Sequence, residues 1–178
     1  MKEICILDKN FREIIPEDKI KCRIEELARM INSDLAGKDV VFLGILNGAF
    51  LFAADLFRRI EFPAMISFVK LASYQGTSSA GVVKELIGWN EDIKKKTVVI
   101  IEDIVDTGNT IERIVDEMLI RKAYEVKIAA LFFKPSAYLK SIDIDYVGFK
   151  IPDDFVIGYG LDYDGYGRNL TSVYTLVS

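Results

Sequence analysis

Residues 98–110 have the sequence VVIIEDIVDTGNT, and this stretch gives the clearest indication of the fold. The apolar start is typical of a strand buried on both faces of a parallel sheet, and the polar end predicts the first turn of a helix. Ligands bind such sheets beyond the carboxyl ends of the strands. Free N–H groups and the positive dipole end of a helix favour phosphate there, and Gly108 lets the backbone approach it. The segment therefore predicts a phosphate site between a central strand and a helix.

Three carboxylates, Glu102, Asp103 and Asp106, stand beside this predicted phosphate site. They would repel a bare phosphate, so they indicate a ligand that also carries hydroxyl groups, a cation or a protonated base. A sugar phosphate with magnesium meets that description, because magnesium prefers oxygen ligands. The residues alone leave one alternative open, in which DTGNT is a plain helix start and the acids are solvated turn residues.

The flanking sequence predicts alternating strands and helices. Wholly apolar runs are typical of strands buried on both faces, and apolar residues three and four apart predict amphipathic helices. Strands are predicted at 4–7, 40–46, 64–72, 82–87, 97–101, 126–133, 146–151, 155–159 and 173–177, helices at 16–36, 49–60 and 109–120, and a polar mobile loop at 73–81. This order predicts an α/β fold with a central parallel sheet covered by helices on both faces.

The composition narrows the class of protein. The chain has 178 residues, 51% of them hydrophobic, and a net charge of -4 from 23 basic and 27 acidic residues. This length predicts one domain with its own core, and the acidic balance argues against a nucleic-acid binder. No apolar run reaches the about 20 residues of a transmembrane helix, and the start lacks the apolar stretch of a signal peptide. We therefore expect a cytoplasmic protein without membrane contact.

The rarest residue types restrict the chemistry. Because the chain has no histidine, histidine-based catalytic triads and histidine-ligated zinc are excluded. The two cysteines, Cys5 and Cys22, lie outside any CxxC motif, and we expect both to be small buried residues in a reducing compartment. Proton transfer must fall to Asp, Glu, Lys, Tyr or backbone groups, and any metal should be a hard ion such as Mg²⁺.

The string of hydrophobic residues, ED, two further residues and DTGNT resembles the phosphoribosyl-pyrophosphate signature of the type I phosphoribosyltransferases. Other segments narrow the resemblance to the hypoxanthine(-guanine) phosphoribosyltransferases, in the family's order from about residue 40 to 170. They are ILNGAFLFAADL (45–56), VKLASYQG (69–76), KP (134–135) and DYVGFKIPDDFVIGYGLDYDGYGRNL (145–170).

The resemblance implies the type I phosphoribosyltransferase fold, a parallel sheet flanked by helices with a small hood over the base. It implies a single domain at 1–178, with a core at about 38–150 and a hood from the N-terminal segment and about 151–178. The implied reaction serves purine salvage. It moves the phosphoribosyl group from phosphoribosyl pyrophosphate to N9 of hypoxanthine or guanine, with Mg²⁺ as cofactor, giving IMP or GMP and pyrophosphate. Multiple subunits are common in the family, so we expect a dimer or tetramer.

The resemblance also implies roles for the central segment. Glu102 and Asp103 match the pair that faces the ribose hydroxyls and, together with Asp162, the magnesium. Asp106 matches the general acid–base at N7 of the purine. The strand end and the 5′-phosphate loop are matched by Ile104, Val105, Asp106, Thr107, Gly108, Asn109 and Thr110.

On the base side, Lys134 matches the lysine that donates to O6, and Phe155 matches the aromatic residue that stacks on the purine. Val156 matches the residue whose backbone meets the base edge. Asp162 matches a carboxylate that reaches the base edge and the waters of the magnesium. Taken alone, Lys134 could also be a surface lysine at a strand end, Phe155 a core residue and Asp162 a turn aspartate.

On the pyrophosphate side, Asn47 and Gly48 match a binding turn in which the family has a cis peptide before the residue matched by Asn47. Arg168 matches an arginine that meets pyrophosphate. Ser73 and Tyr74 match the tip of a loop that closes over the reacting centre. The chain departs from the family pattern at two places. Several relatives have lysine or arginine at the position of Asn47. Many relatives also have an arginine a few residues after the matched lysine, and the segment PSAYLK that follows Lys134 has none.

Three rival functions stay open at this point. One is a regulator that keeps the phosphoribosyl site and binds nucleic acid, although the longest basic run is only 94–96, KKK. Another is an enzyme of the same superfamily that acts on adenine, xanthine or a pyrimidine. The third is a nucleotide-binding α/β domain without turnover. Lys134 and the hood sequence favour a 6-oxopurine substrate.

Overall fold

The structure, a computed structural model, describes residues 2–73, 83–87 and 91–177. In chain order the elements are β1 (Glu3–Ile6), β2 (Lys9–Ile15), α1 (Glu17–Leu35), β3 (Val40–Leu46), α2 (Phe50–Phe57), β4 (Met65–Ser73), β5 (Val83–Ile87), β6 (Thr97–Val105), α3 (Asn109–Ile120), β7 (Glu125–Phe133), β8 (Tyr146–Lys150), β9 (Val156–Ile157) and β10 (Val173–Leu176).

The central sheet has six strands in the order β5-β4-β3-β6-β7-β8. Five of them run parallel, and β5 returns antiparallel to β4. Strand β3 and the first half of β6 are buried on both faces, as their wholly apolar sequences predict. The predicted parallel sheet is therefore confirmed. Strand β6 lies inside it between β3 and β7, so the segment after β6 opens at the middle of the sheet's carboxyl edge.

Helices cover both faces of this sheet, as predicted. Successive strand residues point to opposite faces, so Phe42 packs in one core cluster with α1 and α2, while Leu43 packs in another with α3. The buried face of α3 consists of Ile111, Ile114 and Met118, spaced as its sequence predicts. In the described ranges, no helix is both long and apolar enough to cross a membrane.

A second, antiparallel sheet joins the two ends of the chain in the order β1-β2-β10-β9. Strand β2 was not predicted from the sequence KNFREII, because only Phe11 of it is fully buried and charged residues interrupt the alternation. The strand predicted at 155–159 is real but short, since pairing with β10 is limited to Val156 and Ile157.

The prediction that both cysteines are buried is wrong, because Cys5 and Cys22 are exposed free thiols. Cys5 alternates along β1 with the partly buried Ile4 and Ile6, so it points away from the core. Cys22 lies on the solvent side of α1, between the buried Ile20 and Ile24. The periodicity of each element, rather than the apolar character of the thiol, sets their exposure.

Helix α1 is fastened to the edge strand β8 by one arginine. Arg23 Nε donates to Gly148 O at 2.8 Å and Arg23 Nη2 donates to Val147 O at 2.7 Å. An edge strand presents backbone groups that can pair with another chain. Arg23 therefore satisfies carbonyls at the rim of the sheet and binds α1 to that rim.

Replacing Arg23 with Met should destabilise the protein by about 1.5–3 kcal/mol, the range for hydrogen bonds with a charged partner. Urea unfolding curves check this, with Arg29→Met as the control because Arg29 is an exposed arginine on the same helix. We expect the control to change stability by less than about 0.5 kcal/mol. Equal midpoints for the two variants would contradict the role of Arg23.

Candidate active site

The segment after β6 forms an open loop that runs directly into α3. Gly108 has φ 86° and precedes the helix, and no side chain among the described residues caps the first turn. A Cβ on Gly108 would lie 2.4 Å from the Tyr138 ring, so glycine is required by both its backbone angle and its surroundings. A cavity of about 80 Å³ is lined by Glu102 and residues 104–111. Uncapped N–H groups facing such a cavity suit an anion.

At the end of β6, two adjacent acids are held next to each other. Glu102 is 6% exposed, and burial together with the charge of Asp103 raises its pKa well above the usual range. Burial also raises the pKa of Asp103, against the opposing effect of hydrogen bonds from Glu102 and from the Ile104 N–H, which donates to Asp103 Oδ1 at 2.8 Å. These shifts favour a proton shared within the pair.

Such a pair suits magnesium as well as ribose hydroxyls. Mg²⁺ is usually held by one or two carboxylates together with waters and substrate phosphates, and a cation can replace the shared proton. The third predicted metal residue, Asp162, is not grouped with them. Within the described residues no three acidic, cysteine or histidine side chains gather closely enough to hold a metal ion. The donor set fits a magnesium ion that takes its other ligands from the substrate and water.

The turn after β3 packs directly on the acid pair. The Leu46–Asn47 peptide is cis, as the resemblance implies. A Cβ on Gly48 would lie 1.4 Å from Asp103 Oδ2, so the carboxylate occupies the space that a side chain would fill. Asn47 is exposed. The structure thus brings the predicted pyrophosphate turn and the predicted ribose-binding acids into contact.

The segment before β10 adds a cation to this group. Arg168 Nη1 donates to Gly160 O at 2.6 Å, and Arg168 Nη2 lies 2.5 Å from Asp162 Oδ1. Asp162 Oδ2 accepts from the Gly165 N–H at 2.7 Å. The charge of Arg168 opposes the rise that burial causes in the pKa of Asp103, so the arginine lies within electrostatic reach of the acid pair.

Lys134 follows β7 and is buried, with 7% of the residue exposed. The backbone N–H of Lys134 donates to Val105 O at 3.0 Å, which fixes the residue beside the phosphate loop. Its Nζ lies 3.5 Å from Asp106 Oδ2 and 2.9 Å from Asp153 Oδ1. Asp153 was not predicted as a site residue. The sequence gives no signal for this ion pair, because Asp153 and Lys134 are 19 residues apart and share no motif.

Phe155 presents its ring to solvent and is 47% exposed. Tyr163 meets it edge-on at a centroid distance of 6.0 Å, and Phe11 lies 6.4 Å away. Val156 is buried and pairs with Thr175 in the second sheet. An exposed ring that is supported from the side by other aromatic residues can stack on a planar ligand.

Helix α2 contacts the segment after β9. Tyr159 Oη donates to Asp55 Oδ2 at 2.5 Å, and burial together with this carboxylate raises the pKa of the tyrosine. Next to it, a Cβ on Gly160 would lie 2.1 Å from Gly48 O. Sequence reasoning missed the Tyr159–Asp55 pair, which joins positions 104 residues apart.

The predicted closing loop is only partly described. Ser73 is the last residue of β4, and Tyr74 together with the rest of the predicted loop to residue 81 lies outside the described residues.

Residues 12–164 match the family described as phosphoribosyl transferase domain. The hypoxanthine phosphoribosyltransferase of Salmonella typhimurium is 40% identical over 163 residues, 90% of this chain and 92% of the relative. The hypoxanthine-guanine phosphoribosyltransferase of Aquifex aeolicus is 38% identical over 98% of both chains. The structure of a hypoxanthine phosphoribosyltransferase from Staphylococcus aureus matches with a TM-score of 0.88 and 39% identity, covering 93% of this chain and 91% of that one. The similarity therefore extends over nearly the whole chain.

Replacing Glu102 with Gln should stabilise the ligand-free protein, and more so at pH 8 than at pH 5. The raised pKa of Glu102 means that folding favours its protonated form, so wild-type stability falls as pH rises through that pKa. Glutamine removes this loss, and each kcal/mol regained should raise Tm by about 2–4 °C. Thermal unfolding without divalent cations checks this.

The control is Glu61→Gln, at an exposed glutamate outside the site. Its Tm difference from wild type should be the same at both pH values. A Glu102→Gln protein that is less stable than wild type at pH 8 would contradict the shared-proton interpretation.

Proposed function

Since this chain belongs to the phosphoribosyl transferase domain family and has its type I fold, we propose that it is a hypoxanthine(-guanine) phosphoribosyltransferase. It transfers the 5-phosphoribosyl group from phosphoribosyl pyrophosphate to N9 of hypoxanthine, and of guanine. The products are IMP or GMP and pyrophosphate, which makes the reaction a step of purine salvage. Close relatives that carry these names over almost their full length support the proposal.

The observation that carries the proposal is the contact between Lys134 and Asp106. The buried ammonium of Lys134 lies 3.5 Å from the carboxylate of Asp106 in the phosphate loop. The proposed purine-binding group therefore lies next to the proposed sugar-phosphate site. Lys134 would donate to O6 of the base, and the exposed ring of Phe155 would stack on it. The backbone of Val156 and the carboxylate of Asp162 would meet the base edge.

The sugar phosphate would lie along the carboxyl end of β6. The 5′-phosphate would accept from the backbone N–H groups and hydroxyls of Thr107 to Thr110, in the cavity that Ile104 and Val105 also line. The ribose hydroxyls would bind Glu102 and Asp103. The pyrophosphate would bind the turn at Asn47 and Gly48.

In the reaction, the bond between C1 of the ribose and the pyrophosphate oxygen breaks while N9 of the purine bonds to C1. The sugar carries positive charge in the transition state, and the carboxylates around it stabilise that charge. Asp106 takes the proton that the purine loses at N7, since the chain has no histidine to do so. Arg168 would stabilise the departing pyrophosphate.

We propose Mg²⁺ as the cofactor, held by Glu102 and Asp103 with Asp162 contributing through water. Bound there, it would neutralise charge on the pyrophosphate. Water must be excluded, because it would otherwise hydrolyse phosphoribosyl pyrophosphate. We propose that Ser73, Tyr74 and the residues after them close over the site for this purpose.

The proposal extends to the organisation of the protein. We propose one functional domain, with the core at about 38–150 and the second sheet acting as a hood over the base. A homodimer or homotetramer is the proposed assembly. The exposed free thiols of Cys5 and Cys22 support a reducing, cytoplasmic location.

Replacing Asp106 with Asn should lower kcat by about 10²–10⁴, because the amide cannot accept the N7 proton. Single-turnover measurements with hypoxanthine check this. Asp116→Asn, at an exposed aspartate on α3, is the matched control and should keep wild-type turnover. An Asp106→Asn protein with more than half the wild-type rate of chemistry would show that another group handles the proton.

The function itself is tested by the choice of base. Lys134 donates to a carbonyl at position 6, whereas adenine presents an amino group there, so adenine should be disfavoured by about 10⁴–10⁵ in kcat/KM. Lys134→Ala should cost hypoxanthine about 1.5–3 kcal/mol and adenine little. Release of pyrophosphate is measured with hypoxanthine, guanine, xanthine and adenine. Equal use of adenine and hypoxanthine by the wild type would overturn the assignment.

A further inference from the structure

We propose that Asp153 is a positioning residue for base recognition, acting through Lys134. This inference rests on the proposed function and adds to it a residue that the resemblance assigns no role. The carboxylate of Asp153 lies closer to the ammonium than Asp106 does, at 2.9 Å against 3.5 Å. Asp153 therefore makes the shorter ion pair with Lys134.

The exposure of the two partners shows which one depends on the other. The side chain of Lys134 is 9% exposed, whereas that of Asp153 is 61% exposed. A buried ammonium that loses its partner carries a large penalty, while an exposed carboxylate is solvated by water. The pair therefore does more to fix Lys134 than to fix Asp153.

The ammonium of Lys134 has three N–H donors. One is directed to Asp153 and one, at the longer distance, to Asp106. The third stays available for the carbonyl oxygen of a 6-oxopurine. Without Asp153, Asp106 would be the sole described acid paired with Lys134, and the ammonium would move towards the proposed proton acceptor.

The chain path links this pair to the stacking ring. The backbone N–H of Ile151 donates to the carbonyl of Phe133, the residue before Lys134, at 2.9 Å. Together with the ion pair between Asp153 and Lys134, this hydrogen bond binds the segment after β8 to the end of β7. Phe155 follows Asp153 by two residues. Lys134, which would bind position 6 of the base, and Phe155, which would stack on it, are therefore connected through the same short segment.

The neighbouring residue supplies a matched control. Asp154 is also exposed and carries the same charge in the same segment. In the described part of the chain it has no ion pair or side-chain hydrogen bond of the kind that Asp153 makes. Asp153→Asn and Asp154→Asn thus remove the same charge, and only the first breaks the contact with Lys134.

The experiment measures kcat and KM for hypoxanthine and adenine in wild type, Asp153→Asn, Asp154→Asn, Lys134→Ala and Lys134→Ala/Asp153→Asn. We expect Asp153→Asn to raise the KM for hypoxanthine by about 5- to 30-fold, within the range of coupling between contacting residues. Turnover number should fall less than about threefold, since Asp106 is retained. Asp154→Asn should stay within about twofold of wild type, the size of an ordinary surface effect.

In the Lys134→Ala background, Asp153→Asn should add less than about a twofold change, because its effect acts through the lysine. Asp153→Glu, which keeps the charge on a longer side chain, should recover part of the loss. Thermal unfolding of each variant separates loss of fold from loss of positioning. If Asp153→Asn failed to fold, the KM of Asp153→Glu against that of Asp154→Glu would decide the same question.

Equal KM values for Asp153→Asn and Asp154→Asn in an active protein would overturn the role of Asp153 alone. The role of Asp153 would also be overturned if the double variant raised the KM for hypoxanthine by the product of the two single-variant effects. A wild type without hypoxanthine transfer would instead overturn the proposed function, and the role of Asp153 with it.

Discussion

The burial of two adjacent carboxyl groups at the end of β6 is the constraint on which the site depends. Glu102 is buried and Asp103 is partly buried on a central strand, where a charge is costly unless it is paired. A proton bound by the pair, which the raised pKa values of both acids favour, would offset part of that cost. The absence of a side chain at Gly48 makes room for the Asp103 carboxylate, and the charge of Arg168 offsets a further part. The acid pair thus dictates residue types on two other segments.

The same constraint extends to the contact between the turn after β3 and the segment that connects β9 to β10. Arg168 is held by the Gly160 carbonyl and by Asp162, while Gly160 itself packs against the Gly48 carbonyl. Tyr159, next in the chain to Gly160, reaches Asp55 on α2. The segment that supplies the cation is therefore tied to the turn that covers the acids. The acids at the end of β6 are thus linked to the turn after β3 and to the segment between β9 and β10.

Much of the fold was predictable because its strands are buried on both faces and follow one another with helices between them. VVFLGIL and TVVII are wholly apolar and short, which is typical of strands buried on both faces, and the spacing of apolar residues in α3 predicted its buried face. Strand β2 was missed, since a half-exposed strand of mixed charge resembles a loop. The burial of the cysteines was predicted from residue type, and the periodicity of β1 and α1 determined the opposite.

The site divides in the same way. Residues 102–110 are contiguous, so their chemistry could be read directly, whereas Asn47, Lys134 and Arg168 were reached only through resemblance. Asp153 and the Tyr159–Asp55 pair were missed by both routes, because each joins distant positions through one exposed or ordinary-looking side chain.

Three acids lie within five residues of one another, and their different surroundings suit them to different work. Glu102 is buried and Asp103 is partly buried, and burial raises the pKa of both carboxyl groups. The Asp106 side chain is 48% exposed and lies 3.5 Å from the Lys134 ammonium. In the proposed reaction, a proton that it takes from the purine could therefore pass to water. In the proposed mechanism, charge neutralisation and proton transfer would therefore both take place at the end of β6, where exposure increases from the buried Glu102 to the half-exposed Asp106.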